Sequence, residues 1–199
     1  MDLAQDSETL HDLAAKTAYD AIILVGWSWI LPNSVLERSE VIGIHPSDLP
    51  SYAGGSPIQH QVIDGIENGA VTLFRITPAL DAGPVIDREP ISLAGHLSDI
   101  LAAIESASVV VLRRVLAGAW PLGPGTAQPE GRPPPRRRLT PQDSRLTPEQ
   151  VAGMTCLQLW NAIRCREDPY PNVYLEDETG RLVIRQVEFF PAPKPTEPS

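Results

Sequence analysis

The sequence predicts an α/β fold: a short, mostly parallel sheet flanked by helices, followed by a small C-terminal unit of one helix and a β-hairpin. Three observations predict it. Apolar, β-branched runs without alternation, such as Ala21-Ile22-Ile23-Leu24-Val25, read as strands covered on both faces. Segments with apolar residues at helical spacing separate such runs, the longest from Leu97 to Ala117. A hydrophobic share of 42% over 199 residues is enough for one packed core.

In chain order, Leu10, Leu13 and Ala14 mark an amphipathic helix from Ser7 to Lys16, which feeds a central strand over Ala21–Gly26. Trp27-Ser28-Trp29-Ile30-Leu31-Pro32 then leaves that strand, and Pro32 suits the entry to a short helix over Asn33–Glu37. Two tryptophans at the C-terminal end of a strand suit either a flat aromatic ligand or core filling. Val41–Ile44 is a second strand, with His45 directly after it. Three prolines and two glycines between Pro46 and Pro57 predict an ordered loop able to wall a site. Ile58, Val62, Ile63 and Ile66 predict a helix starting at Pro57 and ending near Gly65. Val71 to Ile76 is β-rich, the loop from Thr77 ends at Asp81-Ala82-Gly83, and Val85–Ile91 is a further strand. His96 or Ser98 caps the long helix that follows.

The 21 prolines are concentrated after Trp120. The expected organisation is an α/β domain over residues 1–120, a Pro/Arg-rich linker over 121–145, a helix-plus-hairpin subdomain over 146–190 and a disordered tail over 191–199. In the subdomain, Thr155–Arg166 is helical, and strands at Asn172–Leu175 and Leu182–Val187 flank the Thr179-Gly180 turn. A lone hairpin is marginal, so it is expected to pack on the main domain or on a second subunit. The basic run Arg136-Arg137-Arg138 follows three prolines and reads as solvated linker rather than as a phosphate clamp.

With 16 basic against 25 acidic residues, the net charge of -9 argues against a nucleic-acid partner. No apolar run approaches the ~20 residues of a membrane span, and the acidic start lacks a basic leader region. A cytoplasmic protein is expected. Cys156 and Cys165 fall on one predicted helix about two and a half turns apart, too far to bridge, and read as free thiols. No metal site is expected.

The residues with chemistry to offer are His45 and Asp81. A histidine at the end of one strand and an aspartate in the loop after another is how α/β enzymes bring acid–base groups to one crevice. Taken alone, either residue reads equally well as structural.

The order of motifs is more specific. Trp29-Ile30-Leu31-Pro32, then His45-Pro46-Ser47-Asp48-Leu49-Pro50, Gly54-Gly55-Ser56-Pro57-Ile58-Gln59 and Leu80-Asp81-Ala82-Gly83 resemble the folate-dependent formyltransferases. The resemblance continues over Arg138-Leu139-Thr140-Pro141-Gln142-Asp143-Ser144, and Leu159-Trp160-Asn161-Ala162-Ile163-Arg164 with Asp168-Pro169-Tyr170-Pro171 resemble the C-terminal part of members acting on nucleotide-linked amino sugars. The resemblance implies a Rossmann-like domain and transfer of a formyl group from 10-formyltetrahydrofolate, a co-substrate, to an amine. It implies that His45 donates to the developing oxyanion or relays the proton, and that Asp81 holds the histidine and an ordered water. Trp27, Ser28, Trp29, Ile30 and Leu31 with Thr77 and Leu80 would line the folate pocket; Asp48, Gly54, Gly55 and Ser56 would meet the acceptor.

Three departures are informative. Gly43 stands where the family usually has an asparagine as second oxyanion donor, with Ser28, Asp48 or a backbone N–H as candidates to replace it; Ala53 stands where an arginine commonly anchors the loop. Only one helix precedes the first recognisable strand, so the sheet is expected to be abbreviated. Its open edge would be covered by that helix, by a second copy in a homodimer or by an additional chain. The implied acceptor is a small amine, first a nucleotide-linked amino sugar, with an amino acid or hydroxyornithine as the alternative. A hydrolase releasing formate and a non-catalytic folate-binding or structural subunit are the competing readings.

Overall fold

The computed structural model describes residues 2–118 and 121–193. Helix α1 (Ser7–Lys16) starts at Asp6, whose carboxylate accepts the Thr9 N–H at 2.7 Å, so the cap lies one residue before the expected start. Strand β1 (Ala21–Leu24) ends before Gly26, which turns the chain with φ +61° into α2 (Asn33–Leu36). Strand β2 (Glu40–His45) includes His45 as its last residue and is followed by α3 (Pro57–Ile63), β3 (Asn68–Arg75) and β4 (Val85–Ser92).

The α/β class is the expected one, and the four strands stand in the order β1-β2-β3-β4. The sheet is mixed: β1 runs parallel to β2, whereas β3 is antiparallel to both β2 and β4. The nine-residue return from Ile76 to Pro84 makes β3 and β4 a hairpin, which a run of apolar residues cannot announce. Among the described residues β1 pairs only with β2, so the strand expected at the centre stands at an edge. Its burial alternates, with Ile22 and Leu24 inward against α1 and α2, in place of cover on both faces.

Helix α4 (Leu97–Leu116) lies across β3 and β4 and closes the main core with Ile42, Val62, Val71, Leu73, Leu97, Ile100 and Val111, all fully buried. Each such side chain contributes roughly 1.5–3 kcal/mol of burial free energy. Beyond α4, a 3₁₀ turn (Pro141–Ser144) leads to α5 (Pro148–Gly153), a helix the sequence did not announce because it buries no residue. Then come α6 (Cys156–Arg164) and the hairpin of β5 (Val173–Asp177) and β6 (Gly180–Ile184). This unit packs on the main domain. Arg164 donates to the Leu93 and Gly95 carbonyls, while the Glu167 carboxylate accepts from Leu97 N–H at 3.0 Å at the start of α4. Of the tail expected from residue 191 onward, 194–199 lie outside the described residues.

Both cysteines are free; Cys156 is exposed and Cys165 buried in the main core, where burial pushes its thiol up to about 11. Titration of the native protein at pH 8 with a chromogenic disulfide is therefore expected to show one thiol reacting promptly and the second only after denaturation. Two prompt thiols would contradict this burial.

Candidate active site

Side chains alternate along β2, so Val41, Gly43 and His45 share one face while Ile42 and Ile44 point to the core under α4. On β3 the residues paired with His45 and Gly43 are Thr72 and Phe74, and the Phe74 ring meets the His45 imidazole edge-on at 6.4 Å. Thr72 reaches the other way along the chain: its hydroxyl donates to the Ser47 carbonyl at 2.6 Å and accepts from Leu49 N–H. This ties the loop after His45 to the sheet.

That loop returns to the histidine. Tyr52, held at φ +57°, presents its carbonyl to His45 Nε2 at 2.9 Å. A carbonyl only accepts, so Nε2 carries the proton and Nδ1 of the neutral ring is unprotonated. Asp81 Oδ2 lies 3.8 Å from that Nδ1, with both side chains largely buried. The two side chains therefore face each other at ion-pair distance, beyond hydrogen-bond reach. Asp81 in turn accepts the Gly54 N–H at 2.7 Å, which locks the Gly-Gly loop to the aspartate.

Asp81 adopts φ +46°, a left-handed conformation that costs a non-glycine residue of order 1 kcal/mol and needs outside support. Gln128 supplies it by donating to the Asp81 and Gly83 carbonyls, each at 2.9 Å. Nothing in the sequence marked Gln128, because its stretch has no periodicity. The stretch lies along the site as a strap: Thr126 exchanges two backbone hydrogen bonds with Val85, Arg132 donates to the Leu80 carbonyl, and Arg136 N–H donates to the Ala53 carbonyl. Replacing Gln128 with leucine is expected to destabilise the protein by about 1–2 kcal/mol. Thermal unfolding checks this, and an unchanged Tm would leave Gln128 without a role in holding the loop.

One cavity of about 470 Å³ is lined by His45, Asp81, the whole Trp27–Leu31 turn, Thr77, Leu80, Gly54 and Gly55. Trp27 and Trp29 meet edge to face at 5.0 Å, and Phe74 and Ile76 continue the apolar wall. Two residues expected to meet the acceptor lie elsewhere. Asp48 pairs with Arg88 at 2.8 Å, the Ser56 hydroxyl accepts the Leu139 N–H, and neither residue lines the cavity. Asp48 is thus no substitute for the missing asparagine, whereas Ser28 faces the cavity. At Gly43, a β-carbon would stand 2.7 Å from Ile76 Cδ1, so the volume an asparagine would need is filled from the end of β3. Ala53 is buried with Leu49 and Phe74, and the loop is anchored instead by Arg136, which pairs with Asp64 at 2.7 Å and lies over the Tyr52 ring.

Residues 2–104, just over half of the chain, match the sequence model of the family described as formyl transferase. A methionyl-tRNA formyltransferase of Streptococcus gordonii is 29% identical over 188 residues, covering 92% of this chain and 57% of that protein. The matched part of the chain spans between about a third and three fifths of the length of the curated relatives. In three dimensions, methionyl-tRNA formyltransferase from Clostridium thermocellum superposes with a TM-score of 0.74 at 21% identity, over 86% of this chain and 73% of that one. A sugar N-formyltransferase from a Shewanella species gives a TM-score of 0.73 at 13% identity, over 94% and 76%. At such identities the two structures are evidence of a shared fold.

Proposed function

The chain belongs to the formyl transferase family, and on that footing we propose that it transfers a formyl group from 10-formyltetrahydrofolate to a primary amine of a small substrate, a nucleotide-linked amino sugar. The observation that supports this reading is the His45–Asp81 pair, 3.8 Å apart, at the wall of a cavity that also holds two tryptophans. The cavity suits the donor. Its volume falls within the roughly 300–1,000 Å³ of small-molecule sites, and the Trp27–Leu31 turn with Thr77, Pro78 and Leu80 lines it beside Phe74 and Ile76.

When bound, the folate supplies an activated formyl carbon. Tyr52 fixes the tautomer in which His45 Nδ1 is free to take the proton of the incoming amine. The Asp81 carboxylate, 3.8 Å away, stabilises the imidazolium that results. With Nδ1 protonated, the same ring becomes the donor for negative charge on the formyl oxygen, and the proton is then available for the leaving nitrogen. Because Ile76 fills the place beside Gly43, His45 carries a larger share of that task than a ring with an asparagine neighbour would.

The net charge of -9 favours a small acceptor over a polyanion. Transfer RNA is the second reading, favoured by the sequence likeness to the Streptococcus protein. The same proposal puts the protein in the cytoplasm, with a second copy or an additional chain along the open edge of β1. The test is release of tetrahydrofolate from 10-formyltetrahydrofolate on addition of nucleotide-linked amino sugars, amino acids or transfer RNA. No release with any acceptor, alongside retained folate binding, would overturn transfer in favour of a binding subunit; release without an acceptor would make it a hydrolase.

A further inference from the structure

A second cavity, of about 370 Å³, lies where the main domain meets the C-terminal unit, at the far end of α3 from Gly54 and Gly55. Residues 65–68 and 92–95 of the main domain line it together with Leu157, Trp160, Asn161 and Arg164 of α6 and with Phe189. It shares no lining residue with the cavity that holds His45.

Arg164 is only 6% exposed, and among the described residues it has no carboxylate partner. Glu167, three residues on, is engaged elsewhere: it meets His96 Nδ1 at 2.7 Å and accepts the Leu97 N–H. The guanidinium is placed by its contacts. Nη1 donates to the Leu93 and Gly95 carbonyls at 2.7 and 2.8 Å, Nε donates to Asn161 Oδ1 at 2.9 Å, and the group stands 5.8 Å from the centre of the Trp160 ring. All four of those residues line the cavity, so the guanidinium forms part of its wall. Nη2 is left over. Among the described residues it has no hydrogen-bond partner, yet it is not one of the polar atoms sealed from solvent. A buried charge that neither pairs with an acid nor fills its donors is costly, and an anion reaching Nη2 through the cavity offsets that cost.

We infer that this second cavity binds a small monocarboxylate with an apolar body, the carboxylate on Arg164 Nη2 and the body against Leu157, Trp160 and Phe189. With Nη1 and Nε already engaged, one nitrogen remains to hold one anionic group. Glu67, exposed at the same cavity, repels a phosphate dianion more than a singly charged carboxylate. The apolar body has its counterpart: Leu157 is 50% exposed, and the Trp160 and Phe189 rings lie near-parallel with centres 6.2 Å apart. The site is independent of the formyl-transfer reading.

The test measures calorimetric binding of 3-phenylpropionate, 3-phenylpropionamide and 2-phenylethyl phosphate to the full chain. The carboxylate is expected to bind about tenfold tighter than the amide, the worth of one hydrogen bond to a charged group, and tighter than the phosphate. Replacing Arg164 would also cut its ties to the Leu93 and Gly95 carbonyls, so the decisive variant is Leu157→Glu. It adds an acid at the cavity in the first turn of α6, where a negative charge suits the helix. This variant is expected to lose the preference for carboxylate over amide with little change in Tm. Because Leu157 does not line the other cavity, that loss also locates the probe. Equal binding of carboxylate and amide by wild type, a phosphate bound tighter than the carboxylate, or an unaltered preference in Leu157→Glu overturns the inference.

Discussion

Replacing His45 with alanine is expected to lower the rate of formyl transfer by about 10²–10⁴-fold, the usual contribution of one positioned acid–base group. On the proposed mechanism the loss should appear in kcat, because His45 lines the cavity beside Asp81 while the Trp27–Leu31 wall is untouched. The fold should survive. His45 gives up one hydrogen bond to the Tyr52 carbonyl and an edge contact with Phe74, a cost of about 1–2 kcal/mol in a protein whose main core lies on the other face of β2. A folded variant with wild-type kcat would remove His45 from the mechanism, and with it the argument for Asp81.

The second large effect is structural. Gly83→Ala would put a β-carbon far inside van der Waals contact of the Arg75 carbonyl oxygen. Here the return loop crosses the end of β3, Arg75 N–H donates to the Pro84 carbonyl, and Gln128 holds the Gly83 carbonyl from the other side. The clash is with backbone, so no rotamer relieves it. Destabilisation at the upper end of the overpacking range, about 3 kcal/mol, is expected, which corresponds to a fall in Tm of roughly 6–12 °C for a chain of this size. Asp81 lies two residues upstream, so activity should fall even at temperatures where the variant is folded. A Tm within about 2 °C of wild type would mean that the loop can move aside, and that Asp81 is held less rigidly than its hydrogen bonds imply.

What could be read from the chain depended on whether the signal was local. Leu97, Ile100, Ile104, Val111 and Val115 recur at the helical period, and α4 lies within one residue of where that period places it. The Trp27–Leu31 turn and the pair His45 and Asp81 were legible because each stands at a strand end or loop whose residue types are distinctive, and one cavity does unite them. Asp48 is equally distinctive, yet it lies outside that cavity. Its partner, Arg88, is forty residues on, in a hairpin whose direction no local pattern reveals.

The sequence by itself determined the class of fold and the family, since these follow from periodicity and motif order along the chain, and it singled out His45 and Asp81, which face each other at 3.8 Å. Tertiary structure decided the rest. It turned β3 and β4 antiparallel, filled the space beside Gly43 with Ile76, and brought residues 126–138 back across the site so that Gln128 holds the Asp81 carbonyl. The physical reason is the same in each case: close packing and hydrogen-bond satisfaction are settled between segments far apart in sequence, and a stretch without periodicity gives no sign of what it will cover.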